Sequence, residues 1–107
     1  MKPNNDTSEG LLRSLAALAN PHRLRIVAEL HSGRQYVSEL ARRLELSRPL
    51  LHMHLRRLEA AGLVSGTLEL SEEGKAMKYY EVTPFALRLT PEAIAKAAQT
   101  LSEEADR

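Results

Sequence analysis

A chain of 107 residues has the length of one domain, and its 43 % hydrophobic and 27 % charged residues are the balance of an ordinary soluble protein. It has no cysteine, which excludes disulfides, thiolate metal sites and cysteine nucleophiles. No apolar run approaches the ~20 residues that span a bilayer, and the N-terminus lacks the apolar core of a signal peptide, so the expectation is a cytoplasmic protein with no membrane partner. The net charge of +1 hides an uneven distribution. Residues 34–57 hold six Arg against two Glu, whereas residues 65–82 hold two Lys against four Glu.

Residues 1–10 are polar and read as a flexible tail, followed by one domain over residues 11–107. Leu11, Leu12, Leu15, Leu18 and Ala19 recur at spacings of three and four and predict a first helix. Asn20-Pro21 breaks and restarts the chain, because Asn caps helices well and Pro is tolerated at the first helical position. The second helix then runs to about Ser32, with Leu24, Val27, Ala28 and Leu30 as its apolar positions and Ile26 beside them. Val37, Leu40, Ala41 and Leu44 predict a short third helix ahead of the turn Leu44-Glu45-Leu46.

Ser47 is an N-cap followed by a proline in the first turn, and Leu51, Leu55 and Leu58 follow at i, i+4, i+7 until Gly62 closes the fourth helix. At ~100° per residue, Leu51, His54, Leu55, Leu58 and Ala61 share one half of its circumference. The other half carries Arg48, His52, Met53, Arg56, Arg57 and Glu59, four basic-capable groups against one acid. Beyond Gly62 the period changes: LVSGTLEL and MKYYEVT, separated by SEEGKA, predict a two-stranded β-hairpin. Tyr79 and Tyr80 point to opposite faces of a strand, so only one of them enters the core. Thr90-Pro91-Glu92 starts a last helix over about 91–104, with a narrow stripe of Ile94, Ala97, Ala98 and Leu101 suited to close contact with a partner helix.

The predicted fold is therefore mainly α with some β, about five helices and a hairpin. The third helix, its turn and the fourth helix have the dimensions of a helix-turn-helix, whose second helix enters the ~12 Å major groove of DNA. The stretches LAALANPHRLRIVAEL and VSELARRLELSRPLLHMHLRRLEAAGLV, with the hairpin ending in KYYEVT, make residues 11–83 resemble the ArsR-type winged helix-turn-helix transcriptional regulators. The resemblance implies a homodimer joined through its first and last helices, bound to an operator palindrome and released by an inducing signal. It implies a dimer interface of Leu11, Leu12, Leu15, Leu18, Ile94, Ala97, Ala98 and Leu101, and double-stranded DNA as the partner. A small-molecule or protein effector is left open.

On that face Arg48 and His52 are assigned to base edges, and Arg56 and Arg57 to phosphate, with Ser47 at the helix start. Met53 is a candidate for a thymine methyl, or an ordinary surface methionine. Arg42 and Arg43, at the end of the third helix, are candidates for the DNA backbone, although cations at a helix C-terminus need no ligand to explain them. In the wing, Glu69, Glu72, Glu73 and Glu81 leave Lys75 and Lys78 to meet phosphate. His54 is read as a packed or capping residue. The chain departs from metal-sensing members of the family: it lacks cysteine pairs, its last helix has no histidine, and His52 and His54 lie ~200° apart on one helix. Neither a metal nor a cofactor is expected. No glycine elbow surrounds a serine, so an enzyme is not expected either. The alternative reading is a winged-helix protein-interaction module with little or no DNA binding.

Overall fold

Four of the five described helices start where a short polar side chain meets unsatisfied backbone donors; the helix Val37–Leu44 follows Tyr36 with no side-chain cap. The computed structural model describes residues 7–105. Thr7 Oγ1 accepts from the Gly10 amide at 3.0 Å and opens α1 (Ser8–Leu18). Residues 8–10 therefore belong to the first helical turn, with Ser8 buried, instead of the expected tail; residues 1–6 of that tail lie outside the described residues. Asn20 Oδ1 accepts from the His22 and Arg23 amides at 2.9 and 3.3 Å, and with Pro21 at the first position it opens α2 (Pro21–His31). After α2 comes β1 (Gln35–Tyr36), then α3 (Val37–Leu44) and α4 (Arg48–Ala60). Ser47 Oγ accepts from the Leu50 amide at 3.3 Å, the predicted cap of α4. The hairpin is β2 (Val64–Leu70) and β3 (Ala76–Val82), and α5 (Pro91–Ala105) opens with Thr90 Oγ1 accepting from the Ala93 amide.

The sheet has three antiparallel strands, in the order β1-β3-β2, where the sequence predicts two. β1 pairs Gln35 with Tyr80 and Tyr36 with Tyr79. Two residues carry no readable period, so only the tertiary pairing reveals this strand. The pairing anchors the base of the hairpin to the start of α3. At the other edge, Thr83 donates from its amide to the Leu63 carbonyl at 3.0 Å and from Oγ1 to the Gly62 carbonyl at 2.7 Å, which fastens the hairpin to the end of α4.

The core holds Ile26 and Leu30 of α2, Val37, Leu40 and Ala41 of α3, Leu51, Leu55 and Leu58 of α4, and Leu63, Val64 and Tyr80. Tyr80 enters it and Tyr79 stays half-buried, as strand alternation requires. The inward face of α2 differs from the expectation. Leu24 and Ala28 face outward, while Arg23, Ile26 and Leu30, spaced i, i+3, i+7, face inward. With apolar residues on both sides of this helix, periodicity could not select the phase; the buried contacts of Arg23 select it. α5 packs on α1 of the same chain, burying Leu11 and Ala97. Among the described residues no helix is long and apolar enough to cross a membrane.

Two backbone positions are tight. Glu45 closes α3 at φ 55°, with the Leu46 amide donating to the Ala41 carbonyl at 3.0 Å. A left-handed conformation costs a residue with a side chain ~1–2 kcal/mol relative to the right-handed one. Glu45→Gly should thus raise unfolding free energy by up to ~1 kcal/mol in a urea titration. At Gly66, an added Cβ would lie 2.7 Å from Lys78 Cε and 2.8 Å from Tyr80 Cε1. Lys78 can swing aside but the core ring cannot, so Gly66→Ala should cost ~1–3 kcal/mol in the same titration.

Candidate nucleic-acid interface

α4 is sided by the burial of its leucines. With Leu51, Leu55 and Leu58 fully inside, Arg48, Pro49, Met53, Arg56, Arg57 and Glu59 are exposed and His52 is half-buried. The face predicted from the helical wheel is the face that stays in water. Pro49, Met53, Arg56 and Arg57 rim a shallow depression of about 300 Å³. Arg56 lies on the wing side, where its charge acts on the Tyr80 hydroxyl. Arg57 lies on the other flank and shares a crevice with Arg13, Ala16, Ala17 and Ala60.

Charge pairing separates these arginines from several others. Arg13 pairs with Glu9 at 2.6 Å. Arg34 grips Glu69 through two hydrogen bonds while lying 4.2 Å above the Tyr79 ring. Arg43 donates to Glu39 at 3.0 and 3.2 Å and to Glu29 at 3.2 Å, tying α3 to α2, and Arg42 stands 3.8 Å from Glu39. Arg48, Arg56 and Arg57 are in no ion pair among the described residues. Their charges face solvent uncompensated, the condition under which a cation gains most from a phosphate.

The remaining candidates fall in different places. Arg42 is largely exposed at 3.8 Å from Glu39, whereas the guanidinium of Arg43 is engaged by two carboxylates, which hold it protonated. Lys75 is exposed at the hairpin turn; Lys78 is half-buried, its ammonium 5.7 Å from the Tyr80 ring. In the wing, the acid Glu69 is neutralised by Arg34, whose hydrogen bonds hold its carboxyl below the usual carboxylate range, and Glu72, Glu73 and Glu81 remain exposed. Among the residues expected at a dimer interface, Leu12, Ile94, Ala98 and Leu101 are exposed, Leu15 and Leu18 are half-buried, and Leu11 and Ala97 are already covered within the protomer.

Sequence reasoning missed two residues that hold the interface in place. Arg34 braces the wing across all three strands. Arg23 is buried, donating from Nε to the Ala17 carbonyl at 2.6 Å, from Nη2 to the Ala16 carbonyl at 3.5 Å and from Nη1 to His54 Nδ1 at 3.0 Å. The available signal was its place in phase with Ile26 and Leu30. His54 is the packed histidine expected of it.

A helix-turn-helix with an outward cationic second helix, followed by a braced hairpin, defines a winged helix-turn-helix DNA-binding domain. The sequence profile described as a helix-turn-helix domain matches residues 18–67. The chain is 41 % identical over 80 residues to an HTH-type transcriptional regulator of Methanocaldococcus jannaschii, covering 75 % of this chain and 83 % of that one. It is 33 % identical over 94 residues to the HTH-type transcriptional repressor SmtB of Mycobacterium tuberculosis, covering 88 % of this chain and 64 % of the repressor. A homodimeric winged helix-turn-helix DNA-binding domain from Mycobacterium bovis, a possible ArsR-family regulator, superposes with a TM-score of 0.62 at 25 % identity, covering 91 % of this chain and 82 % of that one. The chain belongs to the ArsR/SmtB family of winged-helix transcriptional regulators. Its relatives are transcriptional regulators and not enzymes.

The Arg34–Glu69 pair is half-exposed, so its contribution is small and open to screening. Arg34→Ala should lower stability slightly at low salt, and the difference should shrink at ~1 M salt, where the screening length falls to ~3 Å. Urea titrations at the two salt concentrations measure it.

Proposed function

We propose that the protein is a repressor that works as a homodimer joined through α1 and α5, placing α4 of each copy in successive major grooves ~34 Å apart on a pseudo-palindromic operator. The observation that carries this reading is the set of arginines on the outward side of α4 that are in no ion pair among the described residues, where Arg13, Arg34, Arg42 and Arg43 have carboxylate partners. Arg48 and His52, nearest the start of α4, read base edges, while Arg56 and Arg57 hold phosphate, with Ser47, Arg42 and Lys75 at the margins. Arg43 and Lys78 are secondary, since each has an intramolecular partner. The exposed apolar groups Leu12, Ile94 and Leu101 supply the dimer surface, and the homodimeric Mycobacterium bovis relative supports that assembly.

The repressor is not a metal sensor of the cysteine or last-helix histidine type. His22 and His54 have their rings 5.3 Å apart, but Arg23 occupies Nδ1 of His54 and Arg57 adds a second positive charge, a setting that repels a metal cation. A small molecule or another protein is a candidate for the signal that releases DNA. A second reading, a protein-interaction module, is favoured by Leu68 and Leu70 of β2, which are 65 % and 74 % exposed beside the acidic hairpin turn.

Gel shifts against genomic fragments at low salt separate the two readings, since an interaction module leaves DNA unretarded. For the repressor, log affinity should fall with log salt by ~0.9 per phosphate contact. Arg48→Ala should relax preference at one base pair by ~1–3 kcal/mol, whereas Arg57→Ala should weaken all sequences alike and reduce the slope by about one. Silence of both substitutions would remove α4 from the interface.

A further inference from the structure

The inner side of α4 carries a polar cluster that the outward face does not use. Arg23 of α2 is buried against the last turn of α1, where the Ala16 and Ala17 carbonyls, at the negative end of that helix, accept from it. Its third nitrogen, Nη1, points at Nδ1 of His54 in the middle of α4, 3.0 Å away. A guanidinium has only donors, so Nδ1 must offer a lone pair and His54 must be neutral with its proton on Nε2. That Nε2 is itself buried without a hydrogen-bond partner, so among the described residues the Arg23 bond is the hydrogen bond that orients the ring, with the His22 ring packed beside it. Three helices thus meet at one bond: α1 through its carbonyls, α2 through Arg23, and α4 through His54.

We propose that Arg23 and His54 are positioning residues for DNA reading: the bond between them holds α4 at a set angle to α1, and a proton on His54 breaks the bond and weakens DNA binding. This rests on the DNA-binding reading above and adds its regulation by acid. The proton comes from solvent and takes the Nδ1 lone pair, which places an N–H against an N–H and one cation against another. Arg23 keeps its carbonyls, and the imidazolium must turn away. Leu51, Leu55 and Leu58 keep α4 folded and attached, so its tilt changes while its existence does not. In the dimer proposed above, α1 lies at the junction and α4 in the groove, so a change of angle between them alters the spacing of the two reading helices.

The surroundings favour the neutral ring. Burial pushes the His54 pKa below the usual histidine value, and positive charges add to it: Arg23 and His22 from α2, and Arg57 from α4. Arg13 of α1 lines the crevice beside Arg57. A folded-state pKa below the unfolded value of ~6.5 means that this stabilising contribution is complete above that pH and is lost as pH falls through the depressed folded-state value. The direction is diagnostic, because acid otherwise adds positive charge and strengthens attraction to phosphate.

The test uses the full chain and a fluorescent duplex recovered by wild-type protein from a random-sequence library. Affinity is measured at ~pH 7.5 and ~pH 5 at constant salt, alongside circular dichroism to verify folding. Wild-type affinity should fall on the order of tenfold in acid. His54→Asn, whose Oδ1 replaces the Nδ1 acceptor but does not titrate, should bind within a few-fold of wild type at neutral pH and lose nothing in acid. A purely structural role would lower thermal stability in acid and leave the affinity of folded protein unmoved. Equal pH profiles for the two proteins would overturn the proposal. If the variant fails to fold, the His54 imidazole titration of wild type by NMR decides: its midpoint either coincides with the loss of affinity or overturns the coupling. Recovery of no duplex by wild-type protein would instead overturn the DNA-binding reading itself.

Discussion

Three leucines at 0 % exposure, Leu51, Leu55 and Leu58, hold α4 in place, and the rest of the interface follows from their burial. Each fully buried leucine is worth ~1.5–3 kcal/mol of transfer free energy, far more than any exposed ion pair in this molecule. Rotating α4 to bury its arginines would forfeit that energy and add the cost of desolvating charge. The apolar seam therefore dictates which side of the helix meets water. The outward cations are a consequence of packing on the opposite side as much as of their own preference for solvent.

Within that constraint, electrostatics sorts the arginines by task. Arg34 and Arg43 are spent on neighbouring carboxylates and serve as braces, one across the sheet and one between α2 and α3. Arg23 is taken out of water altogether and held by two carbonyls and an imidazole. Its burial is tolerated because every hydrogen bond is made to a strong acceptor, two of them at a helix end where the dipole favours a cation. Arg48, Arg56 and Arg57 of α4 keep their charge facing outward and outside any ion pair among the described residues. The near-zero net charge of the chain is thus compatible with a strongly sided surface.

The wing follows the same logic with a different outcome. Its sequence is acidic, yet Glu69 is cancelled by Arg34, which lies outside the hairpin in sequence and reaches it only because β1 pairs with β3. Of the remaining acids, Glu72 and Glu73 sit at the turn, beside the exposed Leu68 and Leu70, while Glu81 pairs with Ser65 at the body end of the hairpin. A tally over residues 65–82 therefore overstates the negative charge of the wing, since one of its four glutamates is cancelled from outside the hairpin.

The starts of α2, α4 and α5, the helix-turn-helix and the sidedness of α4 were legible in the amino-acid sequence. They depend on local rules: Asn20, Ser47 and Thr90 satisfy nearby amides, and leucines at i, i+4, i+7 define a face without reference to anything distant. The phase of α2, the strand β1, the Arg34–Glu69 brace and the Arg23–His54 bond were not legible. Each joins residues far apart in the chain, 31 positions for Arg23 and His54 and 35 for Arg34 and Glu69, and no periodicity encodes such a pairing. The sequence alone determined which surface of α4 carries charge, because a 3.6-residue repeat is a local property. Tertiary structure decided which arginines remain free to use that charge, because only folding brings each one within reach of a carboxylate, a carbonyl or an imidazole, or leaves it with water.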